Sequence, residues 1–418
     1  MMAPGESGGG RRFSRRGLLG AACAWLPARA AATGTVLPGL EVARQMDFRD
    51  LAGSSIGLIT NPTGIAPDGA SGIDLLAKAS NVHLKALFGP EHGLRGTAGA
   101  GAAVKNGRDV RTGLPIYSLY GVTRRPSPEM LKGIDTIVYD IQDVGSRSYT
   151  FISTMGLAMQ TAAQHRLRFV VLDRPSPAGA NRIEGNIPGP QYHSFVGSYP
   201  IPYCYGLTVG ELARMINGSG WMGDPCHLQV IPMEGYNRRM FWRDTHLPWR
   251  PTSPHIPTPE AAWGYAATGI MGELPGLSIG IDTPDEFLVA GRSDIDSTRF
   301  ADALNARALP GVRFLPFQWR VPGSGSGAVD CGVRIRIDDP ASAQLTRINF
   351  ELMVTARRLV PHIAFFARAD QERMFDMVCG TDVVRRRFQA GADSAEIWAA
   401  WNTASSFAAQ RKPWLLYA

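Results

Sequence analysis

Short apolar runs alternate with amphipathic stretches through the first half of the chain. SIGLIT (55–60), VHLKALF (82–88), DTIVYDI (135–141) and RFVVLD (168–173) are rich in β-branched residues and too short for buried helices. Between them, GIDLLAKAS (72–80) and TFISTMGLAMQTAAQHR (150–166) repeat apolar residues at three- and four-residue spacing, the period of a helix. Strands of this kind separated by helices predict a parallel sheet covered on both faces. From about residue 200 the texture changes. YPIPYCYG and LPWRPTSPHIPTP are rich in proline and aromatics, and TVGELARMI (208–216) is the one clear helix nearby. VRFLPFQWRV (312–321) and GVRIRI (332–337) read as strands split by the turn-like PGSGSGA, with amphipathic helices at 342–360 and in the last fifty residues. The expected fold class is α/β, a Rossmann-like parallel-sheet domain at 36–204 followed by a smaller α+β C-terminal domain at 205–418.

The first thirty residues belong to neither domain. They carry a basic stretch, the apolar run GLLGAACAWL and small residues around ARAAA, with Arg15-Arg16 in SRRGLLG. This is the pattern of a twin-arginine export signal, expected over 1–32, and it predicts a periplasmic protein. Cys23 does not make a lipoprotein site, because Gly20 stands where a lipobox carries Leu or Val. Without the five arginines and one glutamate of that segment, 43 basic and 36 acidic side chains become 38 and 35. So even a balance leaves no electrostatic footprint for nucleic acid. No apolar run after the N-terminus reaches the length of a membrane span. Cys204, Cys226, Cys331 and Cys379 form no metal or redox spacing, so free thiols or one late disulfide are expected.

In open parallel sheets, ligands sit beyond the carboxyl ends of the strands. The polar residues of this chain cluster there. TNPTG follows the first run, GPEHG the second, QDVGSR the third and RPSPAG the fourth, delivering Asn61, Glu91, His92, Asp143, Arg147 and Arg174 to one rim. Glu91 reads either as an acid–base catalyst or as a structural carboxylate paired with Arg95 or Arg147. Asp140 and Asp143 have the chemistry for a hard cation, but more often such a pair bonds loop amides. No HExxH, CxxC or clustered histidine pattern occurs, so neither a metal nor a cofactor is expected. GTAGAGAAV (96–104) lacks dinucleotide spacing, and no phosphate-binding loop is present. GLSIG (276–280) matches a nucleophile elbow around Ser278, but IDTPDEF follows it where an esterase needs a helix. Among the aromatics of the second domain, Trp249 in LPWRPTSP is the one expected at a ligand.

Taken in order, GLITNPTG, LFGPEHGLRG, TGLPIYSLYG, DIQDVGSRSYTFISTM, VLDRPSPAG, IEGN, SFVGSYPIP, GLTVGELA, LPWRPTSPHIPT and GELPGLSIG run through nearly the whole chain after residue 40. They resemble the NamZ-type exo-β-N-acetylmuramidases, a glycoside hydrolase family. The resemblance implies a Rossmann-like domain and a C-terminal domain with the active site between them. It implies release of N-acetylmuramic acid from the non-reducing end of peptidoglycan fragments such as MurNAc-GlcNAc. It implies Glu91 as the proton donor and Glu184, in IEGN, as the second carboxylate, with Asp140, Asp143 and Asp173 as supports. The sugar's lactyl carboxylate asks for a cation, for which Arg95, Arg147 and Arg174 are the candidates. The chain departs from the family in its second domain. Tyr205 stands where an imidazole is usual, His255 replaces an asparagine, and Ile279 and Ile281 replace a glutamate and an arginine, while Glu273 keeps an acid. A wall-fragment binding protein without turnover is the alternative, and a serine esterase a distant third.

Overall fold

The computed structural model describes residues 34–418, apart from 97 and 326. The expected export signal at 1–32 therefore lies outside the described residues. Among those described, no helix is long and apolar enough to cross a membrane.

The first sheet has seven strands: β1 (Ser55–Thr60), β2 (His83–Gly89), β3 (Gly107–Arg108), β4 (Pro115–Ser118), β5 (Thr136–Asp140), β6 (Arg168–Leu172) and β7 (His227–Ile231). Their order is β3-β4-β2-β1-β5-β6-β7, and every pairing is parallel except that of β3 with β4. The central strands β1 and β5 are buried almost throughout, which is why they read as continuous apolar runs. Because β7 pairs with β6, the first domain runs well past residue 204. The boundary moves beyond residue 231, since HLQVI joins the sheet across a helix and a loop.

The C-terminal part has a three-stranded antiparallel sheet, β8 (Val289–Arg292), β9 (Val312–Arg320) and β10 (Val329–Ile337), ordered β8-β10-β9. Helix Leu345–Leu359 packs against helices Pro259–Thr268 and Ser394–Trp401 beside it. One hydrophobic core is continuous from Ile59, Phe88 and Ile137 on one face of the large sheet, through helix Phe151–His165, to Phe350 and Trp401. A second core covers the opposite face around Leu58, Leu87 and Val138. The two parts thus share buried surface. All four cysteines after the export segment are free.

The C-terminal part closes over the strand ends, and this decides what the rim residues do. Arg147 is fully buried and donates to the carbonyls of Asn186 (2.7 Å), Ile201 (2.8 Å) and Val378 (3.1 Å). Asp173 accepts from Gly210 N–H (2.7 Å), Arg174 N–H (2.9 Å), Thr208 Oγ1 (2.7 Å) and Tyr417 O–H (2.6 Å), tying the chain's C-terminus to β6. Position 210 takes no side chain, because a Cβ there would lie 2.7 Å from the Asp173 carboxyl carbon.

Candidate active site

The switch point of the strand order lies between β1 and β5, where a ligand crevice is the usual expectation. Here it is filled. Asn61 Oδ1 accepts from Thr63 N–H (3.0 Å) and Oγ1 (2.5 Å), and Thr63 Oγ1 in turn accepts from Gln142 N–H (2.9 Å). Asp140 and Arg174 form a buried ion pair at 2.6 Å, and the space left beside them is about 20 Å³, room for little more than a water. Asp143 accepts from Gly145 N–H (2.6 Å) and from the Tyr205 hydroxyl. The tyrosine that stands in place of an imidazole is thus satisfied internally. Asn61, Asp140, Asp143, Arg147, Asp173 and Arg174, expected at the ligand, are instead the ties that let a second domain bury a polar rim.

Burial leaves a mark on those carboxyls. It pushes Asp143 and Asp173 up to about 6 despite the donors each has, and it raises Asp140 against the pull of Arg174. A carboxyl raised in the folded state binds a proton between pH 4 and 6 that the unfolded chain has released. For Asp143 and Asp173 that contribution is therefore gained as pH falls through 6 and lost as pH rises, on the order of 2–3 kcal/mol each. Asp143→Asn is expected to remove its share of any stability gain between pH 7 and pH 5, measured by urea melts at both values. An unchanged gain in the variant would refute this.

A larger cavity of about 510 Å³ lies to one side, over the ends of β2 and β5, within the size range of small-molecule sites. Glu91 and His92 enter it from the turn after β2. His92 and Gly93 are both left-handed there, with φ of +67° and +75°, which turns the chain back at once and holds Glu91 at the strand end. His92 Nδ1 lies 2.7 Å from the carbonyl of Ala98. Glu91 Oε1 accepts from Gly101 N–H (2.9 Å) and Oε2 accepts from Thr150 Oγ1 (2.5 Å), and Tyr120 lines the cavity with them. Burial, then the Glu91 charge, pushes the Tyr120 phenol up to about 12. Two donors, one on each oxygen, fix the Glu91 carboxyl in the cavity.

The floor is aromatic. Tyr149 meets Phe151 edge-on at 4.9 Å and Tyr265 at 5.5 Å, and Tyr265 meets Phe287 at 5.2 Å. The Tyr265 hydroxyl lies 3.0 Å from Ser148 Oγ. Burial raises its phenol, the Ser148 hydrogen bond pulls it back, and the charges of Glu273, Glu91 and Asp143 raise it further. Glu273 lines the same cavity. Its carboxylate is open to solvent on one side, yet surrounding protein thins its hydration and raises its carboxyl. His255 and the apolar side chains Ile256, Ile279 and Ile281 also line the cavity.

Three expectations are corrected by this geometry. Glu184 does not face the cavity. It accepts from Thr346 N–H (2.8 Å) and Oγ1 (2.7 Å), from Leu345 N–H (3.3 Å) and from Arg182, at the N-terminus of helix Leu345–Leu359. Trp249 stands behind the wall, edge-on to Trp242 at 4.8 Å, and its indole N–H braces the Ile256 carbonyl at 3.2 Å. Arg95 points away to pair with Asp109 at 2.5 Å, so none of the three candidate arginines lines the cavity. Ser278 bridges Gly291 of β8, and no helix follows it, so the nucleophile-elbow geometry is absent. Tyr120, Thr150 and Tyr265 were not foreseen. For Tyr120 a signal exists in the register: β2 and β4 pair Gly89 with Ser118, which carries Glu91 and Tyr120 off the sheet side by side.

Models of the N-terminal and C-terminal domains of the exo-β-N-acetylmuramidase NamZ match residues 56–260 and 263–417. The chain belongs to the NamZ family. The peptidoglycan β-N-acetylmuramidase NamZ of Bacillus subtilis (strain 168) is 39% identical over 371 residues, 88% of each protein. Two solved DUF1343 family proteins of Bacteroides fragilis share the fold. One is 43% identical with a TM-score of 0.87, the other 28% identical with 0.72, and each match covers 92% of this chain and 99% of the other. The NamZ models meet near residue 261, just before Trp263 and the segment that supplies Tyr265 and Glu273. The cavity therefore takes Glu91 from one NamZ domain and Glu273 from the other.

Proposed function

We propose that this chain is an exo-acting glycosidase that releases N-acetylmuramic acid from the non-reducing end of peptidoglycan fragments. The observation that carries this reading is the carboxylate pair Glu91 and Glu273, one from each NamZ domain, lining one cavity beside a shared tyrosine. Glycoside cleavage needs a proton on the leaving oxygen and an acceptor at the anomeric side. Glu273, whose carboxyl is raised, is the proton donor in this reading. Glu91, held by Gly101 and Thr150, is the acceptor, taking the proton of an attacking water or holding the acetamido N–H while its carbonyl oxygen attacks the anomeric carbon. A wall substrate agrees with the export signal read at 1–32, and we place the mature protein in the periplasm on that ground.

The test is release of free N-acetylmuramic acid from the disaccharide MurNAc-GlcNAc by protein lacking the export segment. Binding of the disaccharide without release would leave the non-catalytic alternative standing. The donor role has its own check. Glu273→Gln is expected to slow cleavage of the disaccharide about a hundredfold while sparing a p-nitrophenyl muramide, whose leaving group needs no proton. Equal losses on both substrates would remove Glu273 from that role.

A further inference from the structure

His255, which lines the cavity, belongs to a cluster that the muramidase reading does not use. His255 Nδ1 lies 3.1 Å from Glu286 Oε1 and 3.8 Å from Asp282 Oδ1, and the three side chains can bring one ligand atom each within 4.8 Å of one another. Local structure converges them. Asp282 sits in a left-handed turn (φ +63°), and its own N–H donates to Glu286 Oε1 at 2.7 Å. The segment carrying His255 is propped from behind by Trp249. Glu286 is only 4% exposed, and its second oxygen, Oε2, is buried with no hydrogen-bond partner among the described residues. A buried carboxylate oxygen left bare is costly, and a cation is the group that relieves it most completely.

Charge points the same way. Glu91 and Glu273 line the cavity, Glu286 stands behind its wall, and no lysine or arginine is among the described lining residues. Arg124 is near but stacks on Phe195 (4.2 Å) and Tyr120 (5.6 Å) without lining the cavity. An anionic sugar would enter a field of its own sign. We propose that His255, Asp282 and Glu286 bind one divalent transition-metal ion of the zinc type, whose open position takes the carboxylate of the substrate. One imidazole and two carboxylates are a donor set suited to such an ion, and three protein ligands leave a coordination position free. Ligand atoms about 2.0–2.2 Å from a tetrahedral ion lie roughly 3.3 Å apart, so the observed spacings need only small side-chain movements. Ile256, Ile279 and Ile281 beside the cluster form an apolar surface for the methyl group that accompanies the carboxylate in a lactyl ether. The ion's role toward a lactyl carboxylate depends on the muramidase function; ion binding itself does not.

The experiment titrates chelator-treated protein with zinc chloride in a calorimeter and counts bound zinc by elemental analysis. One equivalent is expected, with affinity at least tenfold weaker in His255→Ala and in the surface variant Asp282→Asn, both checked for native circular dichroism. Chelation and either variant should also lower release of N-acetylmuramic acid at least tenfold more than release of N-acetylglucosamine from the matching GlcNAc-terminated disaccharide. No saturable zinc binding by the unmodified protein, or equal binding by folded variants, overturns the site. Zinc bound as expected with no sugar released in any metal state would leave the site standing and remove the muramidase reading instead.

Discussion

Glu91→Gln is expected to lower kcat by about 10²–10⁴-fold on MurNAc-GlcNAc and equally on a p-nitrophenyl muramide, with little change in melting temperature. The equality across substrates is the informative part. A residue that protonates the leaving group matters less when that group departs unaided, whereas one that acts at the anomeric carbon matters for both. Glu91 receives Gly101 N–H on one oxygen and Thr150 Oγ1 on the other. A glutamine keeps one acceptor for Gly101, and the Thr150 hydroxyl can rotate to accept from the new amide. The fold is thus spared while the charge and basicity of the carboxylate are lost. Initial rates on the two substrates, together with a thermal melt, check this. A variant that keeps more than a tenth of the activity would return Glu91 to a structural role.

The strand-end carboxylate was legible because it lies in the first turn after a buried run. A sequence reader can see LFGPEHG and know that an acid leaves the sheet at that point. The same logic overreached at Asp140, Asp143, Asp173, Arg147 and Arg174. Those groups also sit at strand ends, but the C-terminal part covers them and most of their polar atoms bond within the protein. Asp140 Oδ2, Asp143 Oδ1 and Arg147 Nε keep no partner among the described residues. Nothing local distinguishes the two outcomes, because what decides between them is contributed by residues hundreds of positions away. Tyr417 on Asp173 and Val378 on Arg147 are examples. β1, β5 and β6 were readable as apolar runs buried on both sides, whereas β7 is half-exposed along its length and β4 opens on a proline. A strand so weakly marked in the sequence pattern leaves the expected boundary at 204, short of β7. Glu273 came only from the family resemblance, since a carboxylate in a short turn of the second part has no periodicity to mark it.

Glu184→Ala is expected to act on stability and not on chemistry, by about 3–5 kcal/mol in a urea melt. Glu184 is buried with Arg182, and its remaining lone pairs take Leu345 N–H, Thr346 N–H and Thr346 Oγ1 at the first turn of helix Leu345–Leu359. Removing it leaves the Arg182 guanidinium buried against only the carbonyls of Pro340 and Ala343, and strips the helix of its anionic cap. That helix packs on Pro259–Thr268, which carries Tyr265 into the cavity, so the damage propagates toward the site only through the fold. The rate per folded molecule, measured well below the melting temperature, should stay within a few-fold of the unmodified protein. The contrast with Glu91→Gln is therefore a double dissociation: one variant keeps its fold and loses turnover, the other loses stability and keeps turnover. If Glu184→Ala instead melted normally and lost its rate, the catalytic pair would be Glu91 and Glu184, and the cavity that joins Glu91 to Glu273 would need another explanation.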